Sequence, residues 1–305
     1  MTNTPRRLAA PTRHPHTAGN PDYSARVEGR FSDFDLGRRL GGGAFGEVHA
    51  AYDRVQKARV ALKRLRHAGA LDLYRFKKEF RALVDIFHPN LVRLHELFED
   101  KEQWYIAMEL VDGVDIVSYA RQDPLLTLAP TVLAPVVDEA AGPLPEDVNV
   151  ERLRASFTHL AAGVEALHGA KRLHRDLKPS NVLVAADGTV KILDFGLVTE
   201  LTDATGSLAQ MVGTPAYMAP EQARGDEVTP AADWYAVGVL LYETLLGRLP
   251  FDGEPMEIVG LKQRTEPIHP RAHERLFPRI CPIYACSFSI AIPRAAPQAA
   301  RCSIC

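Results

Sequence analysis

Cysteine is nearly absent from this chain. Only four of the 305 residues are cysteine, and all four lie beyond residue 280, so the body of the protein relies on neither disulfides nor thiolate metal sites. Long apolar runs are also lacking: the longest, from Ala236 to Leu241, is far short of the roughly 20 residues that a membrane-spanning helix needs. No charge of one sign dominates, with 36 Lys and Arg against 38 Asp and Glu and a formal net charge of -2. That balance gives no bulk electrostatic attraction for nucleic acid or an anionic membrane. No charged start leads into an apolar stretch, so no secretory signal is read and the expected location is cytoplasmic. Internal repeats are missing. What is present is a 46% share of hydrophobic residues, enough at this length for a sizeable core in one or two lobes.

Met1–Arg30 is rich in Pro, Arg, His, Thr and Asn and is expected to be a disordered tail, because so little apolar surface cannot offset the entropy of ordering. From Phe34 the pattern changes to a strand ending at Leu40, followed by Gly41-Gly42-Gly43-Ala44-Phe45-Gly46-Glu47-Val48. Glycines in that spacing let backbone N–H groups come close to phosphates. A dinucleotide-binding loop has a similar pattern but opens a helix, whereas Glu47–Tyr52 alternates like a strand. Val60-Ala61-Leu62-Lys63 reads as a short apolar strand ending in a lysine. Phe76, Phe80, Leu83, Val84 and Phe87 recur at helical spacing, with Glu79 at the edge of the stripe. Strands are then expected over Leu91–Phe98 and Trp104–Leu110, an irregular proline-containing insertion over Pro124–Pro145, and an amphipathic helix through Leu153, Phe157, Leu160, Val164 and Leu167.

The densest cluster of chemistry-bearing residues runs from Leu173 to Gly196. His174-Arg175-Asp176-Leu177-Lys178-Pro179-Ser180-Asn181 leads into Val182-Leu183-Val184. A turn at Asp187-Gly188 follows, then Val190-Lys191-Ile192-Leu193-Asp194-Phe195-Gly196. An Asp-Gly pair between β-branched runs predicts a hairpin. That hairpin gathers two carboxylates, an amide and an amine at one end, a set suited to Mg²⁺ and a phosphate chain.

These motifs, with the glycine loop and the strand lysine, resemble the eukaryotic-type serine/threonine protein kinases, in their bacterial-like form. The resemblance implies an α+β, two-lobed protein kinase-like fold: a small antiparallel-sheet lobe with one helix over residues 31–109, and a mainly helical lobe over 113–262 with an insertion at 124–146. It further implies transfer of the γ-phosphoryl of ATP, with Mg²⁺, to Ser or Thr of proteins. Asp176 would accept or orient the substrate hydroxyl, and positioning matters more than basicity for so weak a base. Lys178 would neutralise the transferring phosphate, and Thr214 would hydrogen-bond Asp176 and Lys178. Lys63, paired with Glu79, would grip the α- and β-phosphates, and Asn181 and Asp194 would hold Mg²⁺. ATP would lie against Leu40, Gly41, Gly42, Gly43, Ala44, Phe45, Gly46, Val48, Ala61 and Leu183. The hinge Met108, Glu109 and Val111 would meet adenine and Asp115 the ribose. His174 is expected as a packed structural residue, and Asp233 as a cap on the catalytic-loop backbone. Arg175 suggests control by phosphorylation of an activation loop. Among Thr199, Thr202, Thr205 and Ser207, the favoured acceptors are Thr205 and Ser207, and self-association of two copies would allow their phosphorylation in trans. 

The resemblance fades after about Lys262, where Pro267, Pro270, Pro278, Pro282, Pro293 and Pro297 interrupt any helical pattern. Residues 263–305 are read as an atypical tail standing where the family's lobe would continue, and Glu221 is expected to lack its usual arginine partner. Two rivals follow: a pseudokinase scaffold that holds nucleotide without turnover, and a dinucleotide-dependent oxidoreductase, which demands a helix directly after Gly46. In the tail, Cys281-x4-Cys286 with Cys302-x2-Cys305 has zinc-compatible spacing but no turn glycines, and Cys302–Cys305 is a poor prenylation signal.

Overall fold

Alternation with a period of two builds the first sheet. In the computed structural model the described residues are 31–43, 46–65, 77, 80–121, 148–195 and 214–265. Strands β1 (Phe34–Gly43), β2 (Gly46–Asp53), β3 (Ala58–Leu65), β4 (Leu94–Asp100) and β5 (Gln103–Glu109) form an antiparallel sheet in the order β1-β2-β3-β5-β4. In β3, Val60 and Leu62 point to one face and Ala61 and Lys63 to the other. The first face is sealed by Phe34, Phe98, Tyr105 and Ala107, with the Phe98 ring stacked at 5.3 Å on both Phe34 and Tyr105. On the second face Lys63 lies opposite Val48 and Ile106, and Ala61 opposite Met108. Ala61, Ile106 and Met108 join the main core, which continues through Leu160, Val182, Ile192 and Leu240. One face of the sheet is thus closed off, and the other lies over the larger lobe.

Gly46 opens β2, so no helix follows the glycine loop, and the dinucleotide-binding rival fails on that ground. Gly46 has φ +142°, and a Cβ there would sit 1.9 Å from the Arg64 carbonyl oxygen; no other residue type fits without moving β3.

The larger lobe contains α1 (Ile116–Arg121), α2 (Val150–Gly169), α3 (Pro220–Arg224), α4 (Pro230–Leu246) and α5 (Pro255–Arg264). It also carries a small sheet of β6 (Gly113–Asp115), β7 (Val182–Ala185) and β8 (Val190–Ile192) in that order. Asn149 caps α2 by accepting from the Arg152 N–H at 3.0 Å. The predicted stripe Leu153, Phe157, Leu160, Val164 and Leu167 is buried along it. Gly163 lies on the same buried side, where a Cβ would meet Ile192 Cδ1 at 2.6 Å; the glycine lets α2 press directly under β8. Proline at the first helical position starts α3, α4 and α5, where its missing N–H costs nothing. Helix α4 is buried over most of its length, as its apolar character on all sides requires.

Three local expectations need correction. Phe87 is not part of the helical stripe: helix is assigned through residue 84, and the Phe87 ring is 65% exposed beneath the Arg93 guanidinium. His88-Pro89 follows at once, and a residue before proline is disfavoured in the helical region. The strand expected from Leu91 begins instead at Leu94, because residues 90–92 pair with β8: Ile192 N–H donates to Asn90 O and Val92 N–H to Ile192 O, both at 2.9 Å. Strand β1 runs on through Gly43 instead of ending at Leu40, because Gly41, Gly42 and Gly43 pair with Val48, Glu47 and Gly46; the turn at Asp187-Gly188 falls between β7 and β8 as expected. Asp187 Oδ1 accepts from the Thr189 N–H, and Gly188 takes φ +84°.

Outside the described residues lie the N-terminal tail, Ala44, Phe45, Phe76, Glu79, the 124–146 insertion, Thr199, Thr202, Thr205, Ser207, and the tail with its cysteines. Among the described residues no helix is long and apolar enough to cross a membrane.

Candidate active site

Polar bonds join the two lobes. The Lys63 ammonium, on a side chain almost wholly buried, sits 2.7 Å from Asp194 Oδ1. Burial pushes the Asp194 carboxyl up, but Lys63 above all, with His174 and Lys178, outweighs it and holds the group below its ordinary value. Lys63 was expected to pair with Glu79, which lies outside the described residues; the partner observed is Asp194. Asp194 has φ +54° and Arg175 φ +66°, two non-glycine residues in the left-handed region, where strain is tolerated only if the surroundings fix it.

Those surroundings are visible. Asp233, 1% exposed on α4, accepts from the N–H groups of His174 and Arg175 at 2.9 and 2.8 Å and contacts the His168 ring at 2.8 Å. The His174 ring is spent on structure: one nitrogen lies 2.8 Å from the Leu193 carbonyl oxygen, and the other accepts from the Asp176 N–H at 3.2 Å. The Leu193 N–H donates to Asn181 O at 2.8 Å, closing the base of the hairpin. On the far side, Gln222 donates to Arg175 O at 2.7 Å.

Burial pushes the Asp233 carboxyl up, and the His168 hydrogen bond, His174 and the two amides more than reverse this. A carboxyl held low in the folded state contributes stability above its unfolded pKa, about 3.9. That contribution disappears as pH falls through the lowered value. Replacing Asp233 with Ala strands one buried and one partly buried N–H group, at about 1–3 kcal/mol each. Denaturant titration at pH 7 should show a loss of about 2–6 kcal/mol, shrinking in acid; an unchanged midpoint would remove Asp233 from this role.

At the centre, Asp176 Oδ2 is 2.8 Å from the Lys178 ammonium and accepts from Asn181 Nδ2 at 3.2 Å, while Oδ1 accepts from the Thr214 N–H at 3.2 Å. Lys178 also donates to the Thr214 hydroxyl at 3.3 Å. Asn181 gives a second bond to the Asp176 carbonyl oxygen at 2.8 Å, which leaves its own amide oxygen as an acceptor. That oxygen and the Asp194 carboxylate are hard ligands of the kind that hold Mg²⁺ together with substrate phosphates. Among the described residues no group of three or more His, Cys, Asp or Glu forms a self-sufficient metal cage. The donor set fits an ion shared with a phosphate chain.

The described residues among the expected nucleotide contacts lie on the two sheets and the segment just after β5. Leu40, Val48, Leu110 and Val111 are partly buried against the core containing Ala61 and Met108. Gly41, Gly42 and Gly43 pair with Val48, Glu47 and Gly46. Leu183 lies in β7 opposite Asp115 and Lys191. The Asp115 carboxylate is engaged locally, accepting from Ser118 N–H and Oγ at 2.9 and 2.5 Å at the start of α1. Sequence reasoning missed several supports. Glu109, placed at the hinge for its backbone, uses its carboxylate to accept from Arg93 N–H at 3.0 Å and to pair with Lys191 at 2.8 Å across the cleft. Asn90, just after His88-Pro89, donates to Val190 O at 3.0 Å. Neither side-chain contact carries a periodicity or motif signal; the Asn90 contact joins residues 100 apart.

A five-stranded antiparallel sheet lobe over a mainly helical lobe, with Lys63 held to Asp194 and Asp176 held by Lys178 and Asn181, is a two-lobed kinase-like architecture. A family model for the protein kinase domain matches residues 34–275, and the chain belongs to that family. It is 35% identical over 238 residues to the Probable serine/threonine-protein kinase PknB of Lactococcus lactis, covering 76% of this chain and 34% of that protein. It is 34% identical over 244 residues to the serine/threonine-protein kinase PrkC of Bacillus subtilis, covering 78% and 33%. With the serine/threonine-protein kinase PknB of Mycobacterium tuberculosis the identity is 34% over 255 residues, covering 80% and 37%. The chain spans about a third of the length of these relatives.

Proposed function

We propose that this chain is a serine/threonine protein kinase that transfers the γ-phosphoryl of MgATP to Ser and Thr hydroxyls of proteins. The observation that carries the reading is the Asp176–Lys178–Thr214 cluster, in which one carboxylate is held by an ammonium, an amide side chain and a backbone N–H. In this reading Asp176 orients the acceptor hydroxyl and takes its proton late in the transfer. Lys178 offsets the charge on the transferring group, and Lys63 grips the other end of the triphosphate. Mg²⁺ held by Asn181 and Asp194 supplies neutralisation of phosphate charge. The glycine loop covers the phosphates, and the hinge at Met108–Val111 receives adenine. The names of the relatives agree with this activity.

Regulation by phosphorylation follows from Arg175, fixed beside Asp176 by the bonds to its backbone. Thr205 and Ser207 are the favoured acceptors, and transfer between two copies of the chain is the route by which they would be modified. ATP supply suits the cytoplasm. The test is transfer of labelled γ-phosphate to a generic Ser/Thr protein substrate and to the chain itself. Incorporation on Ser or Thr that needs both ATP and Mg²⁺ is the expected result. Nucleotide binding without any incorporation would favour the scaffold reading instead.

A further inference from the structure

The ammonium of Lys262, near the C-terminal end of α5, does not reach water. Lys262 is 6% exposed, and its Nζ donates to three carbonyl oxygens: Pro215 at 2.7 Å, Ala216 at 2.6 Å and Met218 at 2.8 Å. Lysines almost never bury their charge without partners. Burial draws this one down to about pKa 7, while the three carbonyls take up all three N–H donors and act in the opposite direction. The ring of Tyr235 on α4 lies 5.3 Å from the same ammonium. Every polar partner of the ammonium is main chain, and all of it belongs to one short segment.

That segment begins at Thr214, which touches Asp176 through its N–H and Lys178 through its hydroxyl. It is a tight turn, with the N–H groups of Tyr217 and Met218 both donating to Thr214 O. Carbonyls 215, 216 and 218 converge on one point, an arrangement in which the oxygens repel one another unless a cation sits between them. The outer side of such a turn adjoins the place where a hydroxyl must reach Asp176, so the turn's shape governs how a substrate chain is presented there.

We infer that Lys262 is a positioning residue for the protein substrate: from α5 it fixes the backbone of residues 215–218 against the catalytic aspartate. The inference rests on the protein kinase reading. Lys262 has no bond to Lys63, Asn181 or Asp194, so its influence should fall on the acceptor and spare the nucleotide.

Lys262→Met keeps the aliphatic stem and removes all three donors. The measurement is steady-state kinetics with a Ser/Thr peptide phosphorylated by the wild type, beside ATP hydrolysis without peptide. The expected result is a rise of about tenfold or more in the peptide KM, with the KM for ATP within about twofold of wild type. Lys262→Gln, whose amide retains two donors, should fall between the two. If the Met variant does not fold, the Gln variant carries the same test. Peptide and ATP constants that all stay at wild-type values overturn the inference, as does a parallel loss of both in Met and Gln variants, which would make Lys262 a general fold anchor. A wild type that phosphorylates no Ser/Thr substrate sinks the kinase reading itself, a separate outcome.

Discussion

Asp176→Asn should reduce phosphoryl transfer by about a hundred- to ten-thousand-fold, the range for loss of a positioned acid–base group, while MgATP still binds. The geometry gives the reason. Asp176 receives Lys178, Asn181 and the Thr214 N–H on its two oxygens. An amide in its place keeps the shape but turns one of these acceptors into a donor. The substrate hydroxyl then loses the group that orients it and takes its proton, whereas Lys63 and Asp194, on the nucleotide side, keep their own contact. Single-turnover transfer to a peptide and calorimetric MgATP binding separate the two effects. Transfer at the wild-type rate would exclude Asp176 from the chemistry.

Lys63→Met is the second large effect. Methionine is close in volume, and the site on β3 is packed among Val48, Ile106 and the rest of the main core, so folding should survive. What disappears is a buried charge aimed at Asp194 and, in the proposed reaction, at the triphosphate. Loss of one preorganised electrostatic contact of this kind lowers turnover by about a hundred- to a thousand-fold. There is a pH signature as well. Burial pushes Asp194 up and Lys63 is the strongest influence holding it down. Without Lys63 the carboxyl titrates higher, and Mg²⁺-dependent ATP binding should weaken at a higher pH than in the wild type. Binding curves that weaken at the same pH in both proteins would show that Lys63 does not govern Asp194.

Much of the local framework of the candidate site was readable from residue order because its parts are local. The glycine spacing, the strand lysine, the hairpin and the apolar stripe of α2 each occupy one short stretch, and each is dictated by backbone geometry over that stretch. The same locality explains the errors. Leu91 looked like the start of a strand because it is apolar and β-compatible, but residues 90–92 are recruited by β8 from the other lobe. Phe87 kept the helical spacing although His88-Pro89 ends the helix before it. The supports that fix the site are long-range: Glu109 with Lys191, Asn90 with Val190, Gln222 with Arg175. Lys262 is the extreme case. In sequence it is an ordinary lysine with no motif around it, and only the convergence of three carbonyls more than 40 residues away reveals it. Asp233 was legible only through the family resemblance, since by itself an acidic residue in the first turn of a helix is ordinary.

The central claim is that Lys63 and Asp194, from different lobes, act on one magnesium-bound triphosphate. Calorimetric MgATP affinities of the wild type, Lys63→Met, Asp194→Asn and the double variant test it most directly. Each single change should weaken binding, and the double variant should depart from simple addition by at least about 0.5 kcal/mol, as residues sharing one partner do. Full additivity, or either single variant binding MgATP as tightly as the wild type, would contradict the account.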